Sequence, residues 1–155
     1  MTPEELKKRF KDWAIEVVLF TRTLPNTPEF KAVRNQMVRS TPSTAANYRA
    51  ACRRKSGKDF LNKLKIVEEE LDETMFWLEF TVALDPEFRP AVVPLYKEAD
   101  ELISIVVASI GTARKNLNKA KPKAPQSNQS NQSNQSNQSN QSNQSNQSNQ
   151  SNQSD

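Results

Sequence analysis

The sequence predicts an all-α protein, an up-down-up-down four-helix bundle with a disordered C-terminal tail, and three observations carry that prediction. Apolar residues recur at three- and four-residue spacing in four successive stretches, the period of a helix with one buried face. Three helix starts carry the same signal, a capping residue followed by proline and glutamate: Thr2-Pro3-Glu4, Thr27-Pro28-Glu29 and Asp85-Pro86-Glu87. Glycine occurs twice in 155 residues, too rarely for the tight turns of an all-β fold.

In the first helix Thr2 stands as the cap, Pro3 suits the first turn, and Glu5 is placed to complete a capping box. Leu6, Phe10, Trp13, Val17, Phe20 and Leu24 share one face, while Ile15 and Leu19 point away from it. Pro25 and Asn26 end this helix. The second helix carries the stripe Phe30, Val33, Met37, Thr41, Thr44, Tyr48 and Ala51. Pro42 lies inside it. A proline there removes a backbone bond and crowds the preceding turn, so a kink or short break is expected near residues 40–41. Arg39, Arg49 and Arg53 fall within about 80° of one another on the opposite face. Ala46 and Ala50 share that face and leave room for another backbone.

Ser56-Gly57-Lys58-Asp59 makes the next corner, with Ser56 as cap and Asp59 in the capping-box position. The third helix has the core stripe Phe60, Leu64, Val67, Leu71, Met75, Leu78 and Val82. A second apolar set, Ile66, Trp77, Phe80 and Leu84, lies nearly opposite. A helix apolar on two sides must bury both, and in a chain of four helices the second side is expected to meet another copy. Ile66, Trp77, Phe80 and Leu84, with Ala46 and Ala50, are therefore the candidate oligomer interface. Glu68, Glu69, Glu70, Asp72 and Glu73 occupy the flanks. Pro90 and Pro94 predict irregular first turns in the fourth helix. It is expected to be regular from about Leu95 onward, with Ala99, Leu102, Ile103, Val106, Ile110, Ala113 and Leu117 on its stripe.

Residues 1–118 thus read as the bundle. Residues 119–155 read as a basic, proline-broken linker and a Gln-Ser-Asn repeat, whose side chains cannot build a core and which is expected to be disordered. The formal net charge is +4, and every Lys and Arg precedes the repeat. The cations concentrate around the corner between the second and third helices. Arg34, Arg39, Arg49, Arg53, Arg54, Lys55 and Lys58 are the candidate nucleic-acid-binding residues, because phosphate binding gains from several cations acting together. No aromatic residue is interleaved with them, so base stacking is not indicated and sequence readout should be weak. The alternative is a structural interaction module in which Arg39, Arg49 and Arg53 pair with third-helix acids of a neighbouring copy.

Histidine is absent, which removes the commonest general base and metal ligand. No catalytic residue, metal or cofactor is predicted. Cys52 lies near Arg49 and Arg53 but lacks a base to activate it, and reads as structural. The acidic run flanks the core stripe, whereas a di-iron bundle needs inward Glu-x-x-His pairs. Trp13 and Trp77 read as packing residues. No apolar run is long enough to span a bilayer and no secretory signal precedes the first helix, so a cytoplasmic protein without a membrane partner is expected.

The corner and its surroundings also resemble a known family. The residues that carry the likeness are Gln36-Met37-Val38-Arg39-Ser40, Ala45-Ala46-Asn47-Tyr48-Arg49, Ala51-Cys52-Arg53, Ser56, Asp59-Phe60 and Lys63-Leu64. Ile66-Val67-Glu68-Glu69-Glu70, Asp72-Glu73 and Phe76-Trp77-Leu78-Glu79 follow. The fourth helix adds Glu98-Ala99-Asp100-Glu101-Leu102 and Ser109-Ile110-Gly111-Thr112-Ala113-Arg114. In order and spacing these resemble the bacterial four-helix bundle proteins of 23S ribosomal RNA intervening sequences, from the second helix to the end of the fourth. Thr41-Pro42-Ser43 departs from the usual glycine- or valine-containing version, and the repeat is no part of the pattern. That family is similar to the accessory protein of diversity-generating retroelements. The resemblance implies a four-helix protomer, a homopentamer and a basic surface that binds RNA or DNA. By likeness to the retroelement member it also implies a reverse transcriptase as partner.

Overall fold

The structure, a computed structural model, describes residues 1–120. The expected disorder of the Gln-Ser-Asn repeat lies outside the described residues. Four helices run in order, α1 (Pro3–Thr21), α2 (Pro28–Cys52), α3 (Gly57–Leu84) and α4 (Arg89–Lys119), with a single 3-10 turn, Pro86–Phe88, before the last. Among the described residues there is no strand. Each helix packs on its neighbours in the chain, and α4 returns to α1 to close the bundle. That last pairing is the smallest, because α1 is the shortest helix and leaves the end of α4 uncovered on that side.

The apolar stripes meet at the centre. Phe10, Val17, Val33, Met37, Leu64, Val67, Leu71, Leu78, Leu102 and Val106 are fully buried. Each buried leucine contributes about 2 kcal/mol from the area removed from water. Phe10 stacks on Tyr48 with centroids 4.6 Å apart, joining α1 to α2. Trp13 is buried, and its indole N–H donates to the Leu95 carbonyl at 3.0 Å, joining α1 to α4. Beside that bond Arg9 spans to Glu98 and Glu101, one contact being Nη2 to Glu98 Oε2 at 2.8 Å. The guanidinium is held charged by these carboxylates, Glu98 foremost, well above its ordinary pKa.

The helix starts follow local chemistry, with differences from the expected pattern. The α1 capping box is complete: Glu5 N donates to Thr2 Oγ1 at 3.2 Å and Thr2 N to Glu5 Oε2 at 2.7 Å. Those bonds from Thr2 draw the Glu5 carboxyl below its ordinary pKa. Thr27 occupies the cap position of α2 without making a side-chain cap bond. At the α3 corner Ser56 Oγ accepts from Asp59 N at 3.1 Å, but Asp59 accepts from the Lys55 backbone rather than closing a box with Ser56. The first helix ends at Thr21, before Pro25.

Pro42 within α2, and Pro90 and Pro94 at the start and inside of α4, disturb their helices less than the sequence predicts. Helix α2 runs unbroken through Pro42. The carbonyl that Pro42 leaves unpaired belongs to Val38. Both residues are exposed, so the unpaired carbonyl falls on a solvent-facing turn, where leaving it without a backbone donor costs least. Helix α4 is regular from Arg89, well before Leu95. Pro90 sits in its first turn, where no intrahelical N–H bond is due, and Asp85 Oδ1 accepts from Glu87 N at 3.0 Å to fix the 3-10 turn ahead of it.

A buried hydroxyl cluster joins α2 to α3. Ser40 Oγ lies 2.9 Å and Thr41 Oγ1 3.3 Å from Thr74 Oγ1, and Thr74 itself donates to the Glu70 carbonyl at 2.9 Å. All three residues have no solvent exposure, so each hydroxyl needs the others or a backbone carbonyl.

Candidate nucleic-acid interface

Antiparallel packing puts the start of α1, the end of α2, the start of α3 and the end of α4 at the same end of the bundle. The cations follow. A cleft of about 490 Å³ there is lined by Glu4, Lys7, Lys8, Lys11, Ala45, Ala46 and Arg49. Next to it in the chain, Arg53, Arg54, Lys55 and Lys58 form the α2–α3 corner, all exposed. Across the mouth of α3, Arg54 and Gly57 face Asn116, Leu117 and Ala120 over a groove of about 740 Å³. Arg114, Lys115 and Lys119, all exposed, bring the end of α4 into the same region.

The acids at this end are engaged. Lys7 pairs with Glu4, Lys8 pairs with Asp12 at 2.5 Å, Glu5 serves the α1 cap and Asp59 the corner. The Asp12 contact raises the Lys8 pKa and keeps it charged. Lys11, Arg49, Arg53, Lys55, Lys58, Arg114, Lys115 and Lys119 make no ion pair among the described residues. The Arg54 guanidinium lies 4.7 Å above the Phe60 ring, an arrangement that keeps its charge and orients it without neutralising it.

Two of the seven expected binding residues stand apart. Arg34 lies towards the other end and bridges to α1. Its Nε donates to the Thr21 carbonyl at 3.1 Å, and Nη2 donates to Leu24 at 2.7 Å and Pro25 at 3.2 Å. Helix α1 has no basic residue in its last turn, and Arg34 supplies the cation its carbonyl end favours. Arg39 pairs with Glu73 of α3 and with Gln36. Its acid partner is on the third helix, as the alternative sequence reading held, but within the same chain. Conversely, Lys7, Lys8, Lys11, Arg114, Lys115 and Lys119 were not singled out. Their spacing showed cations, and only the antiparallel topology shows that they converge with Arg49 and Arg53.

The apolar candidates divide similarly. Trp77 and Ile66 are half-buried, and Phe80 and Leu84 are exposed. Ala46 lies exposed in the basic cleft, and Ala50 is half-buried. Phe76, not singled out for its packing, is the most exposed aromatic of the bundle at 52%. Cys52 is a half-buried free thiol packed on the core beside Tyr48, whose phenol is pushed up by burial and by that thiol. Among the described residues no helix is long and apolar enough to cross a membrane, and no group of three His, Cys, Asp or Glu side chains gathers at metal-binding distance.

Comparison with solved structures finds a similar fold in a crystal structure of a protein of unknown function from the S23 ribosomal protein family of Bacteroides thetaiotaomicron. That chain is 28% identical, the match covers 68% of this chain and 97% of that one, and the TM-score is 0.63. No curated protein matches the sequence. The family model described as 23S rRNA-intervening sequence protein matches residues 5–108. The match begins in α1, earlier than the motifs in α2 suggested, and ends within α4. With two-thirds of its length matched and its four-helix bundle intact, the chain belongs to the 23S rRNA-intervening sequence protein family.

Proposed function

We propose that this protein is a non-enzymatic homo-oligomer that binds nucleic acid, or a nucleoprotein, through the basic end of its bundle. One observation carries the reading: cations from all four helices converge at one end, and the nearby acids are already occupied by caps and local pairs. A polyanion meeting that end displaces counterions from several sites at once, which is the physical source of phosphate-backbone affinity. The half-exposed aromatics of α3 support assembly, because copies held together multiply the cations presented to one strand. The resemblance to the retroelement accessory protein supports five copies and a reverse transcriptase as partner. The family's description names a 23S rRNA intervening sequence, which puts RNA first among the polyanions to test.

Gel-shift titrations of RNA and DNA through a salt series test the reading. The expected result is binding that weakens steeply with salt and depends little on sequence. Reversing Arg53 and Arg54 to Glu should weaken the shift and leave the oligomer intact. Loss of the oligomer instead would assign the basic residues to self-assembly, and no shift at the lowest salt would overturn the binding role.

A further inference from the structure

Two apolar faces of the bundle lack a partner among the described residues. The first is a ridge on α3. Phe76, Phe80 and Leu84 are 52%, 39% and 40% exposed, and Phe76, Trp77 and Phe80 pack on one another with ring centroids 5.0, 5.6 and 5.9 Å apart. Helical spacing places Glu69 and Asp72 within two turns before Phe76 and Glu79 one turn after it, while Glu73 beside them is already paired with Arg39. The second face is a groove of about 420 Å³ between α1 and α2. Ile15, Val18 and Leu19 wall it, Pro42 and Ala45 floor it, and Lys11 and Arg22 complete its lining. Ile15 and Leu19 are 49% and 46% exposed, and neither Lys11 nor Arg22 is in an ion pair among the described residues.

We propose that the occupant of the α1–α2 groove is the α3 ridge of a second copy, so that copies join head to tail. This rests on the chain being a homo-oligomer and adds which faces meet. Size supports the pairing: large rings project from one face, and proline and alanine recede on the other. Charge selects it over the symmetric alternatives. Ridge against ridge sets carboxylates on carboxylates, and groove against groove sets Lys11 and Arg22 on their own copies. Ridge against groove alone opposes unlike charges, and like-charge contacts across an interface cost several kcal/mol. The spans also agree, since Glu69 and Glu79 stand about 15 Å apart along α3 and Lys11 and Arg22 about 16 Å along α1. An interface between two different faces is heterologous, and it closes into a ring when its rotation permits.

Two variants of the full chain test the pairing by light scattering after gel filtration. Phe76→Asp with Phe80→Ser removes the ridge, and Ile15→Asp with Leu19→Ser removes the groove wall. All four positions are partly exposed, and circular dichroism checks that helix content is kept. The wild type should be an oligomer and each variant alone a monomer. An equimolar mixture should give a heterodimer that grows no further, because one ridge and one groove remain. A variant that keeps the wild-type mass, or a mixture that stays monomeric, overturns the pairing while the wild-type oligomer still supports assembly. A monomeric wild type overturns both. If either double variant loses helix, Lys11→Glu with Arg22→Glu serves instead. It should lower the mass, and adding Glu69→Lys with Glu79→Lys to the same chain should restore it; failure to restore overturns the pairing.

Discussion

Arg34 lies on α2 and Arg53 stands at its C-terminal cap, and the two do different work. Arg34 closes the carbonyl end of α1 through three hydrogen bonds, so Arg34→Ala should cost about 1–3 kcal/mol in chemical denaturation. It should leave nucleic-acid affinity and its salt dependence unchanged. Arg53 is exposed and makes no ion pair among the described residues. Arg53→Ala should therefore keep full stability and lower the salt slope of binding by about 1. The sequence could not separate these two residues, because the carbonyls that claim Arg34 approach it only after the chain turns at Pro25. One signal was present: the last turn of α1 holds no basic residue. A third residue reports through pH. Glu79 accepts from the Tyr96 hydroxyl at 2.5 Å, and this bond to a carboxylate holds the phenol up at about 12, against an ordinary value near 10. Its stabilising contribution is full below pH about 10 and is lost as the pH rises through about 12. An ultraviolet titration should show no phenolate near pH 10, and Glu79→Gln should bring Tyr96 back towards that value.

At the scale of the helices, the core was legible because burial and period coincide. Leu6, Phe10, Trp13, Val17, Phe20 and Leu24 of the first stripe are all buried, as are Phe30 to Ala51 of the second. The hydroxyl cluster was half legible: Thr41 fell on the α2 stripe, but Thr74 was hidden among acids and its partners come from another helix. Thr74→Val should cost about 1–2 kcal/mol by leaving the Thr41 hydroxyl without its partner and Ser40 with only the Gln36 carbonyl. Matched urea melts of the two proteins read that difference. Pro42 was legible as a residue but not as an outcome. Its cost falls on a solvent-facing turn, so the helix persists. Pro42→Ala should restore the missing backbone bond and raise stability by about 1–3 kcal/mol, visible as a higher melting temperature.

At the scale of the molecule, topology does what local sequence cannot. Four segments far apart in the chain bring their charged termini to one end. Periodicity marked the second apolar side of α3 as Ile66, Trp77, Phe80 and Leu84 but missed Phe76, which lies between the two sides of the helical wheel. It left Ile15 and Leu19 as isolated exposed residues because their groove needs Pro42 and Ala45 of α2 to exist. Lys11 and Ala45 line both the basic cleft and the α1–α2 groove, whereas the corner residues Arg53, Arg54 and Lys58 line neither apolar face, so corner and ridge variants should separate polyanion binding from assembly. Reversing charges at the corner should alter binding, whereas the ridge and groove variants should alter mass.

The slope of binding affinity against salt, measured for the wild type and for a chain with Arg53, Arg54 and Lys58 reversed to Glu, tests the central claim most directly. The wild type should show a steep slope, and the reversed chain weak binding with a shallower one while its oligomer persists. Binding that ignores salt, or a reversed chain that binds as the wild type does, would contradict a phosphate-binding role for the basic end.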